Sequence, residues 1–160
     1  MQTMWNFRKQ VSPTRPDRPE AAPTITTKQR GDVAEDAALA HLQRQGLRLV
    51  QRNFKTPGRG GGELDLIMRE ADGTLVFVEV RQRASTRQGG AAASITATKQ
   101  RRIVFAARHF LLRWGSEPPC RFDVVLVHGR PTPAGERPDP AAPPVRLEWL
   151  RAAFDASTTF

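Results

Sequence analysis

The sequence contains a single cysteine, Cys120, and three histidines, His41, His109 and His128, that lie far apart. One thiol excludes an intrachain disulfide and a thiolate zinc cluster. The histidines lack metal-ligand spacing, so each reads as a filler of a helix or strand, and Cys120 reads as a small buried hydrophobe. No apolar run approaches the roughly 20 residues of a membrane span, and residues 1–10 hold no apolar stretch resembling a signal peptide. A cytoplasmic protein with no membrane partner is therefore expected. No internal repeat is visible. Acidic side chains are scarce: 25 Lys and Arg stand against 16 Asp and Glu, a formal charge of +9. Between residues 81 and 113 there are eight Lys or Arg and no acid at all. Such a balance suits a polyanionic partner better than a neutral metabolite.

What is present suffices for one modest core, since 39% of the 160 residues are hydrophobic. Residues 1–25 mix Pro13, Pro16, Pro19 and Pro23 with charges of both signs, which predicts a disordered tail that leaves Trp5 and Phe7 unpacked. In residues 27–45 the spacing of Val33, Ala37, Leu39, Ala40 and Leu42 predicts an amphipathic helix stopped by Gly46. Residues 47–54 alternate like a strand, and residues 56–62, with Pro57 and four glycines, read as a loop. Residues 63–69 and 74–82 are two β-type runs around the hairpin signal Glu70-Ala71-Asp72-Gly73. The second run, Leu75-Val76-Phe77-Val78, is apolar on both faces, so both sides of the sheet need cover. A loop around Gly89-Gly90 leads into a second helix with Ile103, Ala107, Phe110, Leu111 and Trp114 on one stripe, and residues 120–128 form another apolar strand. Residues 129–144 carry six of the thirteen prolines and read as a surface loop. Residues 145–160 are an extension that returns to the core through Leu147, Trp149, Leu150 and Phe154. The expected fold class is α/β, a mixed central sheet flanked by helices in the order αβββαβ plus the C-terminal extension, with residues 26–128 as the core domain.

The chemistry turns on Asp65, in Gly62-Glu63-Leu64-Asp65-Leu66-Ile67, and Glu79, in Phe77-Val78-Glu79-Val80-Arg81. Hydrolysis of a phosphodiester usually needs a divalent cation held by at least two carboxylates. A two-residue turn at Asp72-Gly73 would put the two acids on opposite faces; a three-residue turn, Ala71-Asp72-Gly73, would set them opposite each other. Glycine in third place favours the latter, because that position is left-handed. The Cβ atoms would then be roughly 5 Å apart, and the pair would repel unless it shared a cation. Arg81, two residues on and about 7 Å further along the same face, reaches toward a phosphate. A solvated sheet edge explains Arg81 and Arg83 better than the two acids, whose flanks are Leu64, Leu66, Val78 and Val80. The basic run of Arg81, Arg83, Arg87, Lys99, Arg101, Arg102, Arg108 and Arg113 starts at the pair and enters the second helix, where it could hold a phosphate backbone. An ordinary solvated helix face would normally mix signs. Nothing suggests base-specific readout, and aromatics in this segment are limited to Phe105, Phe110 and Trp114.

These residues resemble the YraN family of small basic bacterial proteins, over residues 27 to about 127. Gly31, Glu35, Asn53, Lys99 and Arg121-Phe122-Asp123 add to the match. That family resembles archaeal Holliday junction resolvases and the PD-(D/E)XK nucleases. The resemblance implies a restriction endonuclease-like fold, an Mg²⁺ or Mn²⁺ ion on Asp65, Glu79 and the Val80 carbonyl, and a catalytic set of Glu35, Asp65, Glu79 and Arg81. It implies DNA rather than RNA as partner, branched or damaged DNA as substrate, and pairing into a homodimer. Arg83, Arg87, Lys99, Arg101 and Arg102 would bind the nucleic acid. Two points stay open. Asp32-Val33-Ala34-Glu35 also has capping-box spacing, in which Glu35 merely satisfies a backbone N–H, unless the helix begins near Thr27. Where the nucleases have Lys two residues after the Glu, this chain has Arg81, which stays protonated and cannot act as a base. It could still stabilise a phosphorane electrostatically. The competing readings are a nucleic-acid-binding module that cleaves nothing and a basic scaffold that docks on a protein or ribosomal surface.

Overall fold

Thr26 opens the first helix: its side chain accepts the Gln29 N–H at 3.2 Å while the Gln29 side chain accepts the Thr26 N–H at 2.8 Å, a reciprocal cap. The structure, a computed structural model, describes residues 26–58, 60–83 and 95–156. The expected tail at 1–25, with Trp5 and Phe7, and the segment with Arg87 and Gly89-Gly90 lie outside the described residues. Helix α1, Thr27–Arg44, buries Ala34, Ala38 and Leu42 and is followed by Gly46 at φ +92°.

Five strands follow in one sheet whose spatial order is the chain order. They are β1 (Arg48–Lys55), β2 (Glu63–Arg69), β3 (Leu75–Arg83), β4 (Cys120–His128) and β5 (Arg146–Phe154), with helix α2 (Ala97–Trp114) between β3 and β4. Every neighbouring pair is antiparallel except β3 and β4. A parallel pair needs a crossover, and α2 provides it. The alternating side chains of the sheet then divide between two cores. Phe77, Val124 and Leu126 pack with Ile103, Ala107 and Phe110 of α2. Val76, Val78, Val125 and Val127 pack with Ala38 and Leu42 of α1. This is why β3 is apolar on both faces.

Two features depart from the sequence reading. The C-terminal extension is a fifth strand: β5 pairs with β4 from Arg146 opposite His128 to Phe154 opposite Phe122, with a register shift between Phe122 and Val124. Its residues are half-buried or exposed, because it is a sheet edge, and this dilutes the apolar alternation in the sequence. Cys120 is exposed, not buried. It is the first residue of β4 and borders an open groove with Arg108, Leu111 and Leu112. Residues 130–145, where the prolines gather, form no helix or strand. Among the described residues no helix is long and apolar enough to cross a membrane.

Candidate functional site: an acidic pair where two strands part

The hairpin takes the three-residue turn. Glu70 N–H donates to Thr74 O at 2.9 Å, Gly73 N–H to Glu70 O at 3.1 Å, and Gly73 has φ +95°. Asp72 accepts the Thr74 N–H at 2.9 Å, an Asx-type brace for the turn. The pairing runs from Arg69 opposite Leu75 to Leu66 opposite Val78. One step further in the same register sets Asp65 opposite Glu79.

At that step the ladder gives way. β2 stays paired with β1 as far as Glu63, but its pairing with β3 stops at Leu66. Leu64 packs in the α2 core while Leu66 packs in the α1 core, so the two-residue alternation breaks across Asp65. The Asp65 carboxylate turns into the gap, where its Oδ2 accepts the Val80 N–H at 2.7 Å. A side-chain oxygen has replaced the backbone acceptor that a continued ladder would supply.

Glu79 projects on the α2 side and is 3% exposed. Its Oε1 lies 3.1 Å from Lys99 Nζ and 3.7 Å from Arg81 Nη1. Its Oε2 is buried with no hydrogen-bond partner among the described residues. Burial, then the Asp65 charge, push the Glu79 carboxyl up to about 7, against the downward pull of Lys99 and Arg81. Burial raises Asp65 too, opposed by the Val80 hydrogen bond, the Lys99 charge and a side-chain hydrogen bond with Glu79 that forms when one of the two carboxyls carries a proton.

Glu35 stands in the third turn of α1, nine residues past the true cap Thr26, so the Asp32 capping account does not apply. Burial first, and Asp65 second, raise its pKa, while Arg52 and a hydrogen bond from Asn53 lower it. Arg52 Nη2 is 3.8 Å away, and Arg52 Nη1 holds Asp36 at 2.8 Å. Asn53 sits at φ +49°, a left-handed conformation that Asn tolerates better than most residues. Glu35 is thus within charge range of Asp65, and Asp65 in turn of Glu79.

Of the basic residues, Arg81 is exposed on β3, Arg83 is half-buried at its end, and Arg101 and Arg102 are exposed on α2. Lys99 is drawn inward instead, to Glu79. The sequence offered no sign of that contact, because the two residues are joined by a segment without periodicity and only the docking of α2 brings them together. That docking has a backbone cause. A Cβ at Gly62 would lie 2.0 Å from the Arg102 carbonyl oxygen and 2.9 Å from Ala106 Cβ, so only glycine lets β2 approach α2 this closely. Thr56 closes the preceding loop by accepting the Gly62 N–H at 2.7 Å.

Among the described residues no three His, Cys, Asp or Glu side chains converge to hold a metal. Asp65 and Glu79 offer two carboxylates, and a cation there would draw further ligands from backbone carbonyl and water. Val80 has the right place: in an antiparallel pair a residue presents its N–H and C=O to the same neighbour, here the gap that holds Asp65.

A sheet covered by a helix on each side, with buried acids where its central hairpin parts, defines a mixed α/β domain with a charged site at a strand end. The chain belongs to the Uncharacterised protein family UPF0102, also called YraN, whose family model matches residues 34–127. It is 61% identical over 155 residues to a UPF0102 protein of Polaromonas sp. (strain JS666), covering 96% of this chain and 100% of that one. The corresponding protein of Polaromonas naphthalenivorans is 57% identical over 159 residues, covering 96% and 100%. One from Methylibium petroleiphilum is 53% identical over 136 residues, covering 83% and 99%. The matched family segment includes Glu35, Asp65, Glu79 and Lys99 and ends before β5.

Proposed function

We propose that the chain is a metal-dependent phosphodiesterase of restriction endonuclease-like fold that cuts DNA, with branched or damaged DNA as its substrate. One observation carries this reading: Glu79 is almost wholly buried beside Asp65, and one of its carboxylate oxygens has no partner. Two acids pressed together inside a protein repel, and a shared hard cation relieves the repulsion. Asp65, Glu79 and the Val80 carbonyl would hold Mg²⁺ or Mn²⁺, which when bound supplies a polarised water and stabilises charge on a phosphate. Glu35, in range of Asp65, can accept a hydrogen bond from water. Arg81, Arg83, Arg101 and Arg102 offer the positive charge that holds a phosphate backbone beside the pair.

Nicking of supercoiled plasmid and of four-way junctions in Mg²⁺ or Mn²⁺ tests it. Asp65→Ala and Glu79→Ala should each lower the cleavage rate by about 100-fold or more. Cleavage that persists in both variants, or none by the wild type on any DNA, would sink the reading. A second reading, a nucleic-acid-binding module that does not cleave, draws on Arg81 standing where the resembled nucleases have lysine. Salt-sensitive DNA binding that is unchanged by Asp65→Ala, with no cleavage, would favour it.

A further inference from the structure

Arg81 makes a poor stand-in for that lysine. Its Nη1 is 3.7 Å from Glu79 Oε1, beyond a hydrogen bond, and its side chain is 43% exposed. The ammonium at this carboxylate arrives from the first turn of α2, where Lys99 Nζ lies 3.1 Å from the same oxygen. Resting on the phosphodiesterase reading, we infer that Lys99 is a catalytic residue that takes over the motif lysine's place, bonding Glu79 Oε1 and the scissile phosphate at once.

Three features support this. An ammonium carries three donors, and Glu79 Oε1 takes one of them. The bond engages Oε1 and leaves Oε2, the buried oxygen without a partner, open to a cation. The position of Lys99 is also fixed, because the Gly62 backbone rests on the Arg102 carbonyl less than one turn further along the helix. Strand β2, which carries Asp65, and helix α2, which carries Lys99, therefore touch through backbone.

In the cleavage, a water oxygen bonds to phosphorus while the bond from phosphorus to the leaving sugar oxygen breaks with its electron pair. The proton lost by the water ends on that oxygen. Lys99 stays an ammonium throughout, and its hydrogen bond to a nonbridging phosphate oxygen strengthens as charge builds there.

The alternative is that the ammonium occupies the cation's own place. Calorimetry with Mn²⁺ alone separates the two. Wild type and Lys99→Met should bind Mn²⁺ within about threefold of each other, and Asp65→Asn should not bind it. Binding to Lys99→Met but not to wild type overturns the inference; binding to neither overturns both it and the metal-dependent reading. In cleavage, Lys99→Met should lose about 100-fold or more in kcat with KM within about threefold, Lys99→Arg should recover part, and Arg81→Met should lose no more than about tenfold. The reverse ranking overturns the inference. Should the wild type bind Mn²⁺ and cut nothing, the phosphodiesterase reading falls by itself. Lys99 is then judged by fluorescence anisotropy on a short DNA oligonucleotide in Mn²⁺. Affinity lost about tenfold in Lys99→Met and kept in Lys99→Arg supports its phosphate contact, and equal affinities overturn it. Lys99→Gln replaces Lys99→Met if the latter fails to fold.

Discussion

Near pH 7 the Glu79 carboxyl is close to half-ionised, because burial and then Asp65 lift it to about 7 from an ordinary value of 4.5. A folded-state pKa above the unfolded one means that the folded protein binds the extra proton between those values. The stability linked to Glu79 is thus fully present below about pH 4.5 and is lost as pH rises through about 7. Glu79→Gln should therefore raise Tm at pH 8 by about 2–8 °C in the absence of metal, with the gain gone near pH 4, as read by circular dichroism melts. A cation reverses the preference, since it needs the ionised acid, so Mn²⁺ affinity in the wild type should climb with pH up to about 8. Asp123 is the contrasting buried acid, with 0% exposure. It accepts from Arg121 Nε at 3.0 Å, Trp149 Nε1 at 2.9 Å and the Ala152 N–H at 2.9 Å. Ala152 has φ +47° where the β5 register shifts against β4, so Asp123 holds a strained irregularity of the edge strand. Arg121 in turn forks onto Glu70 at 2.8 Å through both terminal nitrogens. Asp123→Ala strands these donors and should cost about 3–5 kcal/mol in urea unfolding, with a smaller loss for Asp123→Asn. Glu79 keeps one buried oxygen without a partner among the described residues, whereas Asp123 has donors on both oxygens, so the two buried acids differ in how far their hydrogen bonding is satisfied.

Glycines show how elements are spaced. At Gly62 an added methyl meets the α2 backbone 2.0 Å away, a contact no rotamer can relieve. Gly62→Ala should destabilise by about 1–3 kcal/mol in denaturant melts and push α2, with Lys99, off the sheet. Gly31, inside α1, has nothing within 4 Å of the same added atom and no positive φ. Gly31→Ala should instead stabilise by about 0.5–1 kcal/mol through helix propensity, so the pair makes an internal control. The β2–β3 hairpin was legible in the sequence because Gly73 follows Asp72 and the turn's left-handed position needs it. The Lys99–Glu79 contact was not, since no local period links a strand to a helix across a crossover. Strand β5 was only half legible: Leu147, Trp149, Leu150 and Phe154 announced a return to the core, but an edge strand with Arg146 and Arg151 exposed shows a weak alternation.

Across the whole molecule the charge of +9 acts as a field more than as a set of contacts. Arg101 and Arg102 are exposed on α2, the helix that brings Lys99 to the acidic pair. If phosphates lie along that face, Arg101→Ala and Arg102→Ala should each weaken DNA binding about equally for all sequences and lower the salt slope by about 1 in anisotropy titrations. A slope unchanged in both variants would place the polyanion elsewhere. The sequence by itself determined the two helices and the first four strands, because periodicity, turn glycines and caps act over a few residues. It also favoured, through Gly73, the three-residue turn whose register brings Asp65 toward Glu79, and the structure takes that turn. Tertiary structure alone decided that β2 and β3 part at Asp65, that Lys99 comes closer to Glu79 than Arg81 does, and that Cys120 is exposed. Those outcomes depend on how a helix more than twenty residues beyond the hairpin turn packs back on the sheet, and packing is a sum over distant side chains that no local pattern records.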